Sequence, residues 1–237
     1  MLRVLLLGEL ELDIDGDPVA VPPGRPARAL LAWLALHPGM HARSRLAGTL
    51  CPRCALPSPG SALCGRCLAD APHYDATVAA LGYRFPADTL VHALKFRSQL
   101  ALAPLLGELL LKCIPAESRV DCVLPVPLSR ERLRERGYNQ AAEIARYVAK
   151  ERRARLDLTV AAREKNTLAQ ADLPWSDRAR NVRGAFRCEH SLDGAAIAVV
   201  DDVMTTGATL DELARTLKAA GALHVENWVV ARTFPHV

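Results

Sequence analysis

The sequence predicts an α/β protein whose main domain is a mostly parallel sheet flanked by helices, with a cysteine-rich module and a small α+β segment in front of it. Three observations carry that prediction. Apolar runs of strand length alternate with segments of helical periodicity from about residue 73 onward, the pattern of parallel strands joined by crossover helices. Four cysteines form two Cys-x-x-Cys pairs between residues 51 and 67. The first 50 residues read as a hairpin and then a helix, a texture unlike the rest. The chain has 237 residues, 50% of them apolar, enough for one sizeable core with appendages. The expected divisions are 1–50, 51–72 and 73–237.

In the first division Leu10, Leu12 and Ile14 alternate with Glu11 and Asp13, "DGD" supplies a turn and "VAV" a return strand, so a small hairpin is expected. "ARALLAWLAL" then puts Leu30, Leu31 and Leu34 on one helical face before "HPG" stops it. This opening resembles the N-terminal half of the winged-helix domain of actinobacterial antibiotic-regulatory transcription factors. A cysteine-proline segment stands where that family's recognition helix and wing would follow. A truncated winged helix has no helix to set in a major groove, so an appended scaffold is expected here rather than sequence-specific DNA binding.

Cys51 and Cys54, then Cys64 and Cys67, are separated by a turn rich in Pro, Gly and Ser. Each pair can hold one edge of a tetrahedral Zn²⁺, as in a zinc ribbon, and four thiolates leave no position for water, so the expected metal is structural. Two disulfides or four unpaired thiols are the competing reading. Seven cysteines, an odd number, and an opening without a signal peptide's apolar core or cleavage site favour a reducing, cytoplasmic setting, where paired cysteines bind metal. No apolar run approaches the length of a membrane span. Cys113, Cys122 and Cys188 read as small apolar fillers. The net charge of +4 falls short of a dedicated nucleic-acid domain.

In the third division, "DTLVHALKF" and "LAPLLGELLL" read as helices, with Asp88 capping the first. "VDCVLPVPL" is a buried strand that leaves its sheet at Pro125 and Pro127, "NQAAEIARYVAKER" a helix, and "LDLTVAAR" an alternating strand. "AAIAVVDD", the helix "LDELARTLKAAG" closed by Gly221, and the strand "HVENWVVAR" complete the domain. Ligands of such sheets bind at the carboxyl ends of the strands. Asp201 and Asp202 fall at that edge and are followed by "VMTTGATL". Gly207 permits a tight turn, and Thr205, Thr206 and Thr209 offer hydroxyls beside a helix start, a setting suited to a phosphate. The carboxylates suit vicinal sugar hydroxyls and a hydrated Mg²⁺. A capping acid pair at a strand-to-helix turn is the bland alternative.

An apolar run, two acids, two spacers and Thr-Thr-Gly-Ala-Thr closely resembles the phosphoribosyl pyrophosphate (PRPP) motif of the type I phosphoribosyltransferases. "VLPVPLSRERLRERGYNQA" and "NTLAQADLPWSDRARNVRGAF" resemble two further signatures of the ComF family within that fold. With the cysteine ribbon and "LVHALKF" the likeness extends over about residues 51–234. It implies that Asp201 and Asp202 hold the ribose and that Thr205, Thr206, Gly207, Ala208 and Thr209 cradle the 5′-phosphate. Arg132 and Arg136, chosen from the charged run at 130–136, would meet the pyrophosphate, whose oxygens suit guanidinium forks. The segment from Arg163 to Arg183 resembles the loop that closes over such sites, with Lys165, Gln170, Arg178 and Arg180 as candidates and Asn181 and Arg183 as anchors. Lys165, Arg132 and Arg136 are the catalytic candidates.

The resemblance further implies PRPP with Mg²⁺ as ligand and transfer of phosphoribose to a base that stays open, because Thr205 stands where purine-salvage relatives carry a carboxylate. It also implies an association with DNA uptake in natural competence, with competence proteins and a second copy of the chain as partners. The alternative is a non-catalytic module that handles single-stranded DNA, with Tyr138 and Trp175 as stacking faces.

Overall fold

The computed structural model describes residues 2–5, 11–14, 17–19, 50–164 and 182–234. The chain divides into two units, Met1–Arg45 and Leu46–Val237. In the first, β1 (Leu2–Leu5), β2 (Glu11–Ile14) and β3 (Asp17–Val19) form an antiparallel sheet in that order. The expected hairpin is β2–β3, with Leu12 opposite Val19. β1 adds a strand from "LRVL", a stretch too short to mark itself by its pattern. The helix expected near residues 27–36 lies outside the described residues.

The described elements of the second unit are α1 (Gly65–Ala69), β4 (Ala76–Gly82), α2 (Ala87–Phe96), α3 (Leu102–Leu111), β5 (Cys122–Pro125), α4 (Arg130–Arg136), α5 (Gln140–Arg152), β6 (Arg155–Leu156), β7 (Ala161–Arg163), β8 (Phe186–Cys188), β9 (Ala196–Met204), α6 (Ala208–Ala219) and β10 (His224–Arg232). Five strands make one sheet in the order β4-β10-β9-β5-β6, and every neighbouring pair is parallel. β7 and β8 form a separate antiparallel ribbon.

Side chains alternate between the faces of this sheet. On one face Ile197, Val199, Val225 and Val229 pack with Leu210, Leu213 and Leu217 of α6. On the other, Ala198, Val200, Trp228 and Val230 are buried under α3 and α5. Gly107 lets those helices approach, since a Cβ there would stand 2.6 Å from the Tyr147 ring. The central strands β9 and β10 are covered on both faces, which explains the apolar runs Ala196–Val200 and Trp228–Ala231 within them.

Two expectations need correction, and one strand had no counterpart in the sequence reading. α2 begins at Ala87 behind Pro86, which brings no N–H to leave unpaired, so Asp88 sits in the first turn instead of capping it. "LDLTVAAR" is two strands in two sheets, because the Asp157 Oδ1 accepts from Thr159 N at 2.9 Å and Val160 N at 3.1 Å and turns the chain between them. "ATVAALG" forms the edge strand β4, where its three alanines gave no strand signal.

Candidate functional site

β5 ends at Pro125, opposite Val200 of β9, and its last bond to that strand is Val126 N to Val200 O at 2.9 Å. Pro127 has no N–H to continue the ladder, so the chain peels away toward Ser129. β9 runs on through Asp201, Asp202, Val203 and Met204, paired there with β10 alone. One edge of β9 is thereby left open. A cleft of about 450 Å³ lies along it, lined by Lys95, Phe96, Arg132, Arg136, Gln140, Arg163 and residues 201–210.

The two acids project to opposite faces of the sheet. Asp202 is buried and turns toward α2, where Lys95 Nζ lies 2.8 Å from its Oδ2. Burial pushes the Asp202 carboxyl up, but the Lys95 ammonium and its hydrogen bond outweigh that and hold it below the usual carboxylate range. Asp201 is half-buried and has no ion-pair partner among the described residues. Burial first, and then the charge of Asp202, raise its carboxyl well above the usual range. Of the two carboxyls, Asp201 is therefore the one that keeps its proton to higher pH.

The loop after β9 is tightly held. Thr206 is buried and its Oγ1 accepts from Ala208 N at 3.1 Å. Gly207 has φ +88°, and a Cβ there would meet Met204 Cε at 2.7 Å and the Tyr74 hydroxyl at 3.0 Å, so backbone strain and lack of space both demand glycine. It caps α6, whose N-terminal N–H groups and dipole face the cleft beside half-buried Thr205, Ala208 and Thr209.

Across the cleft stands α4. Buried Ser129 caps it by accepting from Arg132 N at 3.4 Å, and Gly137 ends it at φ +80°. None of its seven residues is buried. Arg132 and Arg136 line the cleft, whereas Arg130 and Arg134 do not. The Arg136 guanidinium lies 5.3 Å over the Phe96 ring and donates to Gln140 Oε1. Arg163, at the end of β7, is buried against Phe186; burial, then the Arg132 charge, bring its guanidinium down to about 10, with Asp201 opposing. The structure thus brings Asp201, Asp202, Thr205, Thr206, Gly207, Ala208, Thr209, Arg132 and Arg136 to one cleft. Lys165, Gln170, Trp175, Arg178, Arg180 and Asn181 lie outside the described residues. Arg183 is exposed, and the Tyr138 hydroxyl donates to Leu94 O.

Sequence reasoning missed Lys95 and gave Arg163 no role in the cleft. Lys95 lay inside "LVHALKF", read as a helix and as part of the family likeness but given no site role, and its partnership with Asp202 joins residues far apart in the chain.

The sulfurs of Cys51, Cys54, Cys64 and Cys67 all lie within 4.8 Å of one another. The Cys54 and Cys64 sulfurs are 3.6 Å apart, too far for a disulfide and close to the edge of about 3.8 Å that a tetrahedral Zn–S₄ site requires. Cys64 N donates to Cys51 Sγ at 3.4 Å. Burial pushes the Cys51 thiol up, and donation from the Cys64, Cys54 and Arg53 N–H groups more than offsets it, to about 7. The cluster could hold a metal such as zinc.

No family model matches the chain. It is 36% identical over 192 residues to DNA utilization protein YhgH of Escherichia coli O6:H1, covering 78% of this chain and 85% of that one. It is 31% identical over 182 residues to Competence protein F of Haemophilus influenzae, covering 71% and 78%. Among solved structures, the glutamine PRPP amidotransferase of B. subtilis aligns with a TM-score of 0.39 at 18% identity, covering 55% of this chain and 26% of that one. The purine phosphoribosyltransferase of Pyrococcus horikoshii Ot3 aligns at 0.29 and 16%, covering 67% and 86%. Those two scores are too low to carry weight. An α/β domain with a parallel five-stranded sheet, an acid pair at the open strand end and a four-cysteine ribbon in front defines the class as a phosphoribosyltransferase-fold protein. The chain belongs to the ComF family, with the YhgH and Competence protein F proteins.

Proposed function

We propose that the chain binds PRPP or a related phosphoribosyl ligand together with Mg²⁺ in the cleft beside β9, and that it transfers the phosphoribosyl group to a base. The open β9 edge carries this reading. Along it Asp201, which has no ion-pair partner among the described residues, lines the same cleft as the start of α6 and as Arg132, Arg136 and Arg163. The α6 N–H groups and the threonine hydroxyls would take the 5′-phosphate, with charge-assisted bonds of about 1.5–3 kcal/mol each. Asp201 would accept from the ribose hydroxyls, while Asp202, committed to Lys95, holds the strand end rigid. The guanidiniums would fork onto the pyrophosphate. Mg²⁺, when bound, would neutralise charge on the departing pyrophosphate, and Asp201 is the carboxylate left to retain it. No carboxylate stands at Thr205, so the acceptor base is left open.

Titration with PRPP and Mg²⁺, compared with ribose 5-phosphate and with pyrophosphate alone, tests the reading. A ligand that engages both sides of the cleft should bind at least tenfold tighter than either fragment. Equal affinities would contradict it.

The names of the relatives favour a setting in DNA uptake or utilisation, with competence proteins as partners. A second copy of the chain is a further partner in this proposal. In a second reading the same cations and the exposed Phe96 ring handle single-stranded DNA without catalysis. A gel-shift titration with single-stranded DNA at rising salt tests this, and absence of a salt-dependent complex would remove it.

A further inference from the structure

Arg232, the last residue of β10, is completely buried yet has no carboxylate partner among the described residues. Its guanidinium instead joins two distant pieces of backbone. Nε donates to Cys54 O at 3.0 Å, inside the first cysteine pair. Nη1 donates to Met204 O at 2.9 Å, at the end of β9, to Thr205 O in the loop that follows, and to the neighbouring Thr233 O at 3.0 Å. A second arginine repeats the link. Arg66, between Cys64 and Cys67, donates through Nη2 to Thr206 O at 3.1 Å. Three consecutive carbonyls, from the end of β9 into the loop, thus accept from two arginines tied to the two cysteine pairs.

This matters for the loop because a trans peptide holds its C=O and the following N–H in one plane, pointing in opposite directions. The single cis bond among the described residues is Phe85–Pro86. With the carbonyls of Met204, Thr205 and Thr206 drawn toward the ribbon, the N–H groups of Thr205, Thr206 and Gly207 point away from it, as an anion-binding nest requires. Apolar packing follows the same route. Ala55, next to Cys54, shares one buried cluster with Tyr74, Met204 and Leu210. The charges also agree: a divalent cation held by four thiolates carries a net charge of about −2, which would sit beside two arginines, one of them fully buried.

We infer that the cysteine ribbon is a positioning device for the phosphate loop, with Arg232 and Arg66 as its positioning residues, so that metal occupancy sets the loop's order and its affinity for a phosphorylated ligand. The affinity part rests on the reading of Thr205 to Thr209 as a phosphate cradle. The loop-order part does not.

The test uses the full chain in three forms: zinc-loaded wild type, wild type stripped of metal, and zinc-loaded Arg66→Ala. Arg66 is exposed, so that variant should fold and keep its zinc, as metal analysis and thermal unfolding can verify. Hydrogen exchange is followed across residues 203–211 and at Thr233, whose N–H donates to Met204 O at 3.0 Å. PRPP with Mg²⁺ is titrated in parallel. Exchange should accelerate in Arg66→Ala and further in the stripped protein, and the variant should bind PRPP about five- to tenfold more weakly than wild type. Unchanged exchange in Arg66→Ala, with zinc retained, overturns the inference, as does wild-type exchange in a stripped protein. If exchange responds but zinc-loaded wild type ignores PRPP, the coupling stands and the cradle reading falls.

Discussion

The two sides of the cleft are built on opposite principles. On the β9 side, Asp202, Thr206 and Gly207 are buried, and two arginines and a lysine tie strand end and loop to the rest of the molecule. On the α4 side a seven-residue helix with no buried member presents Arg132 and Arg136, held by a serine cap and a glycine stop. The first side is set before any ligand arrives, and the second can adapt to one. A rigid phosphate cradle facing adjustable cations suits a ligand with phosphate at one end and pyrophosphate at the other.

Substitutions should separate the two sides. Lys95→Met leaves the buried Asp202 carboxylate unpaired and should cost about 3–5 kcal/mol in denaturant unfolding, with much of that recovered in Lys95→Met/Asp202→Asn. A small cost would mean that the pair does not brace the strand end. Gly207→Ala combines left-handed backbone with the contacts to Met204 and Tyr74 and should cost about 2–4 kcal/mol while abolishing PRPP binding. Arg136→Ala, on the adaptable side, should change stability by less than about 1 kcal/mol and weaken PRPP binding about tenfold. A large loss of stability there would erase the contrast.

The smallest effect is on pH dependence. Because the Asp201 carboxyl is raised in the folded, ligand-free chain, it holds its proton above the ordinary range near 4, and stability from this group falls as pH rises from there toward the raised value. A ligand that needs the carboxylate displaces that proton. Affinity for PRPP with Mg²⁺ should therefore strengthen with rising pH by at most about tenfold per unit, and Asp201→Asn should flatten the profile.

What the sequence made legible follows the same division. The phosphate side is compact in the chain: acids, spacers, glycine and helix start occupy one stretch, and local rules of turn and cap read it. The cysteine pairs were readable for the same reason. The braces were not, since Lys95 to Asp202 and Arg232 to Cys54 join residues far apart, and an isolated lysine or arginine in an amphipathic pattern carries no local sign of its partner. The sheet was legible where strands were rich in Val and Ile, and lost where alanines left β4 without a strand signal or where Asp157 cut one apparent strand in two.

The most direct measurement is a calorimetric titration of PRPP with Mg²⁺ into wild type and an Asp201→Asn/Asp202→Asn double variant, with thermal unfolding as a check on folding. A folded double variant whose affinity has dropped a hundredfold or more is the result expected for an acid pair at the ribose and metal position. Equal affinity in the two proteins would contradict that assignment.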